Sequence, residues 1–326
     1  MPKLHSLMLT MDDWANTGFR FNKCLRMLGL EALMFKGALH PFLYPEQAMI
    51  HPNFKGLSEA GIPNLDEIAR EADVLHFVAS TLVDTGVLLR DKKVVMQHGG
   101  SIYRQKHEEI NDQYNKFVDA TIIQCPDLLG LGANNETLIY YPVDTDWIQP
   151  VYEPKADVPI IGHFPSNPEV KGTKLIVEAM DELEKSGLKF HFVCETNRIS
   201  WTENLKRMAD CDIIIETCAP EQNGKKYGEW GNTALEAAAL GKVVITNTLS
   251  EDVYRKEYGE LPLLIANDKD AIKEHIGYLL RLPDVLNQHK HVTRGWVETH
   301  HSMQATAKRL WERVYSKLLP GVEVCI

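Results

Sequence analysis

Residues 227–245, YGEWGNTALEAAALGKVVI, have the side chains and spacing to hold an anion. Gly228 and Gly231 form a tight turn into a helix that begins near Asn232 or Thr233 and ends at Gly241. The unpaired amides and positive dipole end of such a helix attract phosphate, and glycine lets the phosphate approach the backbone. Glu236 falls one turn in, where its carboxylate would accept hydrogen bonds from a ribose diol. Thr233-x-x-Glu236 also spells a capping box, in which Glu236 satisfies only the N-cap amide. In 160–180, IIGHFPSNPEVKGTKLIVEAM, a strand leaves into a polar loop containing Asn167, and Lys171-Gly172-Thr173 opens a helix. A lysine there reaches a diphosphate as a point charge, or else is a solvated surface residue. Gln97-His98-Gly99-Gly100-Ser101, with Arg104 beyond, directly follows an apolar run. His98 would hydrogen-bond a sugar hydroxyl, carry a proton, or serve only as a structural partner. Asn16-Thr17-Gly18 after the first run offers a further anion site on weaker grounds.

Other spellings carry less. Asp144-Thr145-Asp146 matches the DxD of metal-dependent sugar transferases but lies among prolines between two patterned regions. His289/His291 and His300/His301 lack the i, i+4 pairing or cysteine partners of a zinc site and read as solvated. No G-x-S-x-G, Walker lysine loop or full G-x-G-x-x-G is present, so hydrolase, NTPase and simple dehydrogenase chemistry have no anchor.

These loops need elements to hold them. Short apolar runs recur at 4–11, 31–35, 73–79, 93–97, 120–124 and 137–141, separated by helix-like stretches. Phe21, Leu25 and Leu28 share one face of 18–29. After Pro142–Pro159, which contains four prolines, the pattern restarts at 158–164, 189–194, 211–216, 242–247 and 261–265. The runs are continuous, as in parallel strands covered on both faces. Strand–helix alternation twice over, broken near 150, predicts two doubly wound α/β domains facing a cleft, with ligands at the carboxyl ends of the strands. Residues 302–319 read as one amphipathic helix through Ala307, Leu310, Trp311, Val314 and Leu318.

Two domains also suit a chain of 326 residues. Its 35 basic and 45 acidic side chains give a net charge of −10, spread over both halves. No basic stripe exists to neutralise nucleic-acid phosphates, and attraction to an anionic membrane is weak, leaving at most peripheral contact. No apolar run reaches the ~18 residues of a membrane span. Cys24, Cys125, Cys194, Cys211, Cys218 and Cys325 have no regular spacing, and most read as reduced core thiols. With no signal-like apolar stretch at the start, a cytoplasmic location is expected.

Together the loops resemble family 4 of the glycosyltransferases, of GT-B architecture. HGGSIYR resembles that family's HGS-type loop, PDLL and YPVDTD its domain-linking stretch, and PSNPEVKGT its donor loop. YGEWGNTALEAAALGKVVI resembles the segment carrying the second Glu of its E-x7-E motif, and HHSMQATAKRLWERVY its C-terminal crossing helix. The resemblance implies residues 1–150 as an acceptor-side Rossmann-like domain, onto which 302–326 packs, and 151–301 as a donor domain. It implies retaining transfer from a UDP- or GDP-sugar to a glycan, lipid-linked or small acceptor, without a metal or other cofactor. Carried over by position, Glu236 meets the ribose, and Gly231, Asn232 and Thr233 meet the diphosphate. Lys171 neutralises the leaving group with Asn167 and Gly18 nearby. His98 contacts the transferred sugar beside Gly99, Ser101 and Arg104. The pattern departs twice. The first Glu of the motif falls on Gly228, with Glu229 one place off, and Pro168 stands where the donor loop has an arginine, a charge that Arg198 or Arg104 would have to supply. A nucleotide-sugar epimerase or a non-catalytic nucleotide-sugar-binding protein fits the same loops.

Overall fold

The computed structural model describes residues 3–50, 65–222, 225–226 and 228–325. The chain divides into two compact units, residues 1–142 with 303–326 and residues 143–302.

The first unit is built on β1 (Ser6–Thr10), α1 (Thr17–Met27), β2 (Ala32–Lys36), β3 (Met49–Ile50), α2 (Leu65–Glu71), β4 (Val74–Phe77), β5 (Lys93–His98), α3 (Gly100–Tyr114), β6 (Ala120–Ile123) and β7 (Glu136–Leu138). Its seven strands run parallel in the order β3-β2-β1-β4-β5-β6-β7. Every residue of β1 is buried because successive side chains enter cores on opposite faces. Met8 packs with Phe21, Leu25 and Met34 on one side, and Leu7 and Leu9 pack with Leu65, Ala69 and Phe77 on the other. The six runs read from the sequence are strands here. The two-residue β3 is additional, being too short to leave a hydrophobic pattern.

The second unit contains β8 (Ile160–His163), α4 (Thr173–Lys185), β9 (His191–Cys194), α5 (Trp201–Ala209), β10 (Ile213–Ile215), the antiparallel pair β11 (Glu221–Gln222) and β12 (Lys225–Lys226), α6 (Asn232–Ala239), β13 (Val243–Thr246), α7 (Glu251–Tyr258), β14 (Leu264–Ile265), α8 (Lys269–Arg281) and α9 (Pro283–His301). The main sheet is parallel, in the order β14-β13-β10-β8-β9. Ile161, Ile176, Ile213, Ile215, Val243 and Ile245 are among the side chains that form its core. Both sheets therefore reverse their winding once, between β1 and β4 in the first unit and between β8 and β10 in the second. Such points leave a crevice outside the strand ends.

Residues 143–150, grouped by sequence with the first domain, belong to the second unit. Arg294 binds their backbone: Nη2 donates to Thr145 O at 2.8 Å and Nη1 to Ile148 O at 2.6 Å. The histidines read as solvated are partly not so. His301 is fully buried against Tyr258 and Trp296, and His289 Nε2 donates to Pro262 O at 2.6 Å.

The final helical stretch belongs to the first unit and is not one regular helix. It comprises α10 (Met303–Leu310), a π-helical turn at Trp311–Tyr315 and one closing turn at Ser316–Leu318. Met303, Ala307, Leu310, Val314 and Tyr315 enter the Met8 core. The buried Tyr315 hydroxyl lies 2.8 Å from His76 Nδ1 and 3.1 Å from Ser6 Oγ, so the wider turn delivers a polar group to two strands. Leu310 is wholly buried, and Leu310→Ala is expected to cost about 2–5 kcal/mol. Urea unfolding followed by circular dichroism tests this, and an unchanged midpoint would show that the terminal helix does not brace the sheet.

Candidate active site

In the second unit the loops after β8 and β10 meet at the switch point. Asn167 Oδ1 accepts from the amides of Glu169 at 3.1 Å and Val170 at 3.3 Å, and Asn167 O accepts from Lys171 N at 3.1 Å. This compact turn ends at Gly172, the N-cap of α4, with φ +67°. A Cβ there would lie 2.0 Å from Cys218 O, so both conformation and space require glycine. Cys218 N donates to Lys171 O at 3.1 Å, tying this loop to the one after β10. His163 bridges them from below: Nδ1 donates to Ile215 O at 2.7 Å, and Nε2 accepts from the Thr173 hydroxyl at 2.8 Å. Burial pushes the His163 pKa down to about 4, which keeps the ring in the neutral tautomer that both bonds need.

The Lys171 ammonium is thereby held against Glu216, at the carboxyl end of β10, in a direct ion pair. The Glu216 side chain is fully buried, and its second oxygen accepts from Thr246 Oγ1 at 2.9 Å. The pair sits at the start of α6. A Cβ on Gly231, the N-cap, would be 3.5 Å from Glu216 Oε1 and 3.8 Å from Lys171 Nζ. Gly231 as N-cap brings no side chain to α6, whose first residues are Asn232 and Thr233. Lysine, helix N-terminus and small N-cap therefore converge as anion recognition requires.

Glu236 does not close a capping box with Thr233. Its Oε1 accepts from the indole N–H of Trp201 at 2.9 Å, and both side chains are buried. The capping box of this unit is Ser200 with Glu203, at the start of α5. Glu229 is buried, with Oε2 accepting from Thr248 Oγ1 at 3.0 Å and Oε1 from Ser250 Oγ at 2.6 Å. It stabilises the turn before α6. At Gly228, where the motif calls for a glutamate, a Cβ would lie 2.8 Å from Leu249 Cγ, so a side chain there would have to displace Leu249. Sequence reasoning missed Glu216 and Trp201. A carboxylate directly after the apolar run CDIII was the available signal for the first; the second is a tertiary contact with none.

In the first unit, His98 ends β5. Its Nδ1 lies 2.9 Å from Ser80 Oγ, and its ring stacks on Tyr103 at 3.8 Å. Burial pushes its pKa down to about 3, so at neutral pH it is a neutral hydrogen-bonding group and not a proton carrier. Gly99 is the N-cap of α3 and Ser101 is exposed in its first turn. Arg104 is paired with Asp127. The anion site expected at Gly18 is already filled: Asp13 Oδ1 accepts from Gly18 N at 2.7 Å and Oδ2 from Phe19 N at 2.9 Å. Backbone strain gathers at this switch point, with positive φ at Ala15 and Asn16 after β1 and at Ala79 and Ser80 after β4, a pattern typical of functional loops.

No protein-family model matches the chain, and no curated protein does. Solved structures of HepE from Anabaena do match. The complex with UDP aligns with a TM-score of 0.66 and 14% identity over 96% of this chain and 100% of that one. The complex with UDP and glucose gives 0.66 and 13% over 96% and 100%, and that with UDP-glucose 0.66 and 14% over 95% and 99%. The fold is the GT-B architecture, with two Rossmann-like parallel-sheet units.

Two outcomes follow for stability. Gly172→Ala is expected to lower the thermal midpoint by several degrees, because strain and overlap add; an unchanged midpoint would mean that the loop can rearrange. Among the described residues, burial lowers the pKa of His40, His76, His98 and His163 to about 4, 3, 3 and 4. The unfolded chain takes up these protons near pH 6.5, so stability falls as pH drops from 6.5 towards 4. Asp13, raised to about 6 by burial, acts oppositely: its contribution is full below about 4 and is lost as pH rises through 6. Four imidazoles outweigh one carboxylate. Tm should therefore decline steadily from pH 6.5 to 4.5; a flat or rising Tm would contradict neutral burial of these rings.

Proposed function

We propose that this protein is a glycosyltransferase of the family 4 type, moving a hexosyl group from a nucleotide-diphosphate sugar, UDP-linked by preference, to a glycan, lipid-linked or small acceptor. The observation that carries this reading is the Lys171–Glu216 pair at the start of α6, beside the N-cap Gly231. It places a cation and helix amides where a departing diphosphate gains negative charge, the moment at which preorganised charge lowers the barrier most. Binding of UDP and UDP-glucose by HepE, a protein of the same fold, supports a uridine donor.

In this reading Lys171, Asn232 and Thr233 hold the diphosphate, and Glu236 accepts from the ribose. Asn167 shapes the lysine loop, and His98 with Gly99 and Ser101 offers neutral hydrogen bonds to sugar hydroxyls. Glu216, and not Glu229, is the carboxylate that orders the lysine. The lysine supplies the positive charge that a metal ion would otherwise bring to the leaving diphosphate, and the resemblance to family 4 implies retention at the anomeric carbon. The six free cysteines agree with a reducing, cytoplasmic setting, and no helix among the described residues is long and apolar enough to cross a membrane.

Removing Lys171 alone would leave a buried carboxylate without its partner, at a cost of about 3–5 kcal/mol. The informative variant is therefore Lys171→Gln with Glu216→Gln, which deletes both charges and keeps the shape. It is expected to fold, and to lose at least about a hundredfold in UDP-sugar turnover, since a donor aimed at developing charge is worth 10²–10³ in rate. Wild-type turnover should persist in EDTA and give a product of unchanged anomeric configuration by NMR. Equal turnover in the double variant would overturn the reading, and epimerised donor released without any acceptor would assign the site to epimerisation.

A further inference from the structure

We propose that Trp201 is a positioning residue for Glu236 and that, through it, the protein distinguishes ribonucleotide from 2′-deoxyribonucleotide donors. The inference rests on the donor-site reading of Glu236 above. Trp201 opens α5, seven residues past the end of β9, and its indole N–H donates to Glu236 Oε1 at 2.9 Å across 35 residues of sequence. Both partners are almost wholly buried, with Trp201 at 8% and Glu236 at 3% exposure. A glutamate side chain has three torsions, and a well-placed N–H bond inside the fold restricts the orientation of its carboxylate.

The indole is itself clamped on three sides. The Ser200–Glu203 capping box sets the first turn of α5. Leu205 and Met208 anchor that helix in the interior. Trp147 stacks on the Trp201 ring at 4.9 Å and 27°, with its own amide donating to Asp144 Oδ1 at 3.0 Å. A diol donates two hydrogen bonds to one carboxylate at least cost when the orientation of that carboxylate is set beforehand, so the preorganisation belongs to recognition of adjacent hydroxyls.

The test measures the affinity of UDP and of 2′-deoxy-UDP by calorimetry in wild type, Trp201→Phe, Glu236→Gln and the double variant. Wild type is expected to prefer UDP roughly tenfold or more, the value of a hydrogen bond to a charged group. Trp201→Phe should bring the ratio to within about threefold by weakening UDP alone, and should add nothing further in the Glu236→Gln background. Should Trp201→Phe fail to fold, β-(3-benzothienyl)alanine at position 201 keeps the ring and deletes only the N–H. Equal weakening of both nucleotides, with the ratio preserved, would mark Trp201 as merely structural and overturn the inference. Equal affinity of wild type for the two nucleotides would overturn it through Glu236, whereas binding of neither nucleotide by wild type would instead overturn the transferase reading.

Discussion

A carboxylate removed from water must find a cation or strong donors, and in this protein that requirement organises the second unit. Glu216 is fully buried at the end of β10 and is answered by Lys171 and by Thr246 Oγ1. Isolated, it would cost several kcal/mol, so the loop carrying Lys171 cannot wander. The turn at Asn167, the left-handed Gly172 beneath Cys218 O and the neutral His163 between Ile215 and Thr173 all hold that lysine on its partner. Pairing in the resting protein also keeps a cation beside the start of α6 in a chain whose net charge is −10. An anion arriving there meets a preplaced ammonium and helix amides, at little cost in reorganisation.

The strand pattern was legible because burial of a parallel sheet on both faces leaves continuous apolar runs, and eleven such runs stand as strands. Segments held by long-range contacts were not legible. The two-residue β3 and the β11–β12 ribbon are too short for periodicity. The π turn at 311–315 keeps the apolar stripe of an ordinary helix, so only the packed Tyr315 shows it. Gly172 and Gly231 stand at helix starts as read, although Gly231 is extended backbone and not a turn; that Gly172 is obligatory was not readable, because the carbonyl that excludes a side chain there lies 46 residues away.

The site was legible in its backbone and misleading in its carboxylates. Lys171-Gly172-Thr173 and the start of α6 lie as the spacing implied. Four acidic residues, by contrast, exchanged parts. Asp13 fills the helix start that Gly18 was expected to offer to a ligand, and Glu229 serves Thr248 and Ser250. Glu236 leaves its spelled capping box for an indole N–H, and the unremarked Glu216 takes the lysine. Sequence spacing specifies which residues share a helical face; it does not specify which donor from another element arrives first.

The two switch points therefore have different chemistry. In the first unit the protein satisfies its own helix start with Asp13 and stacks a neutral His98 on Tyr103, leaving short neutral donors and acceptors and strained turns at Ala15, Asn16, Ala79 and Ser80. In the second, the N-cap of the helix is a glycine and a lysine stands beside it. Under the proposed function, anion recognition and neutral hydroxyl recognition fall to separate sheets of one architecture. The division follows from a single choice at each strand end: whether the carboxylate there is spent on the helix amides, as Asp13 is, or on holding a cation for something else, as Glu216 is.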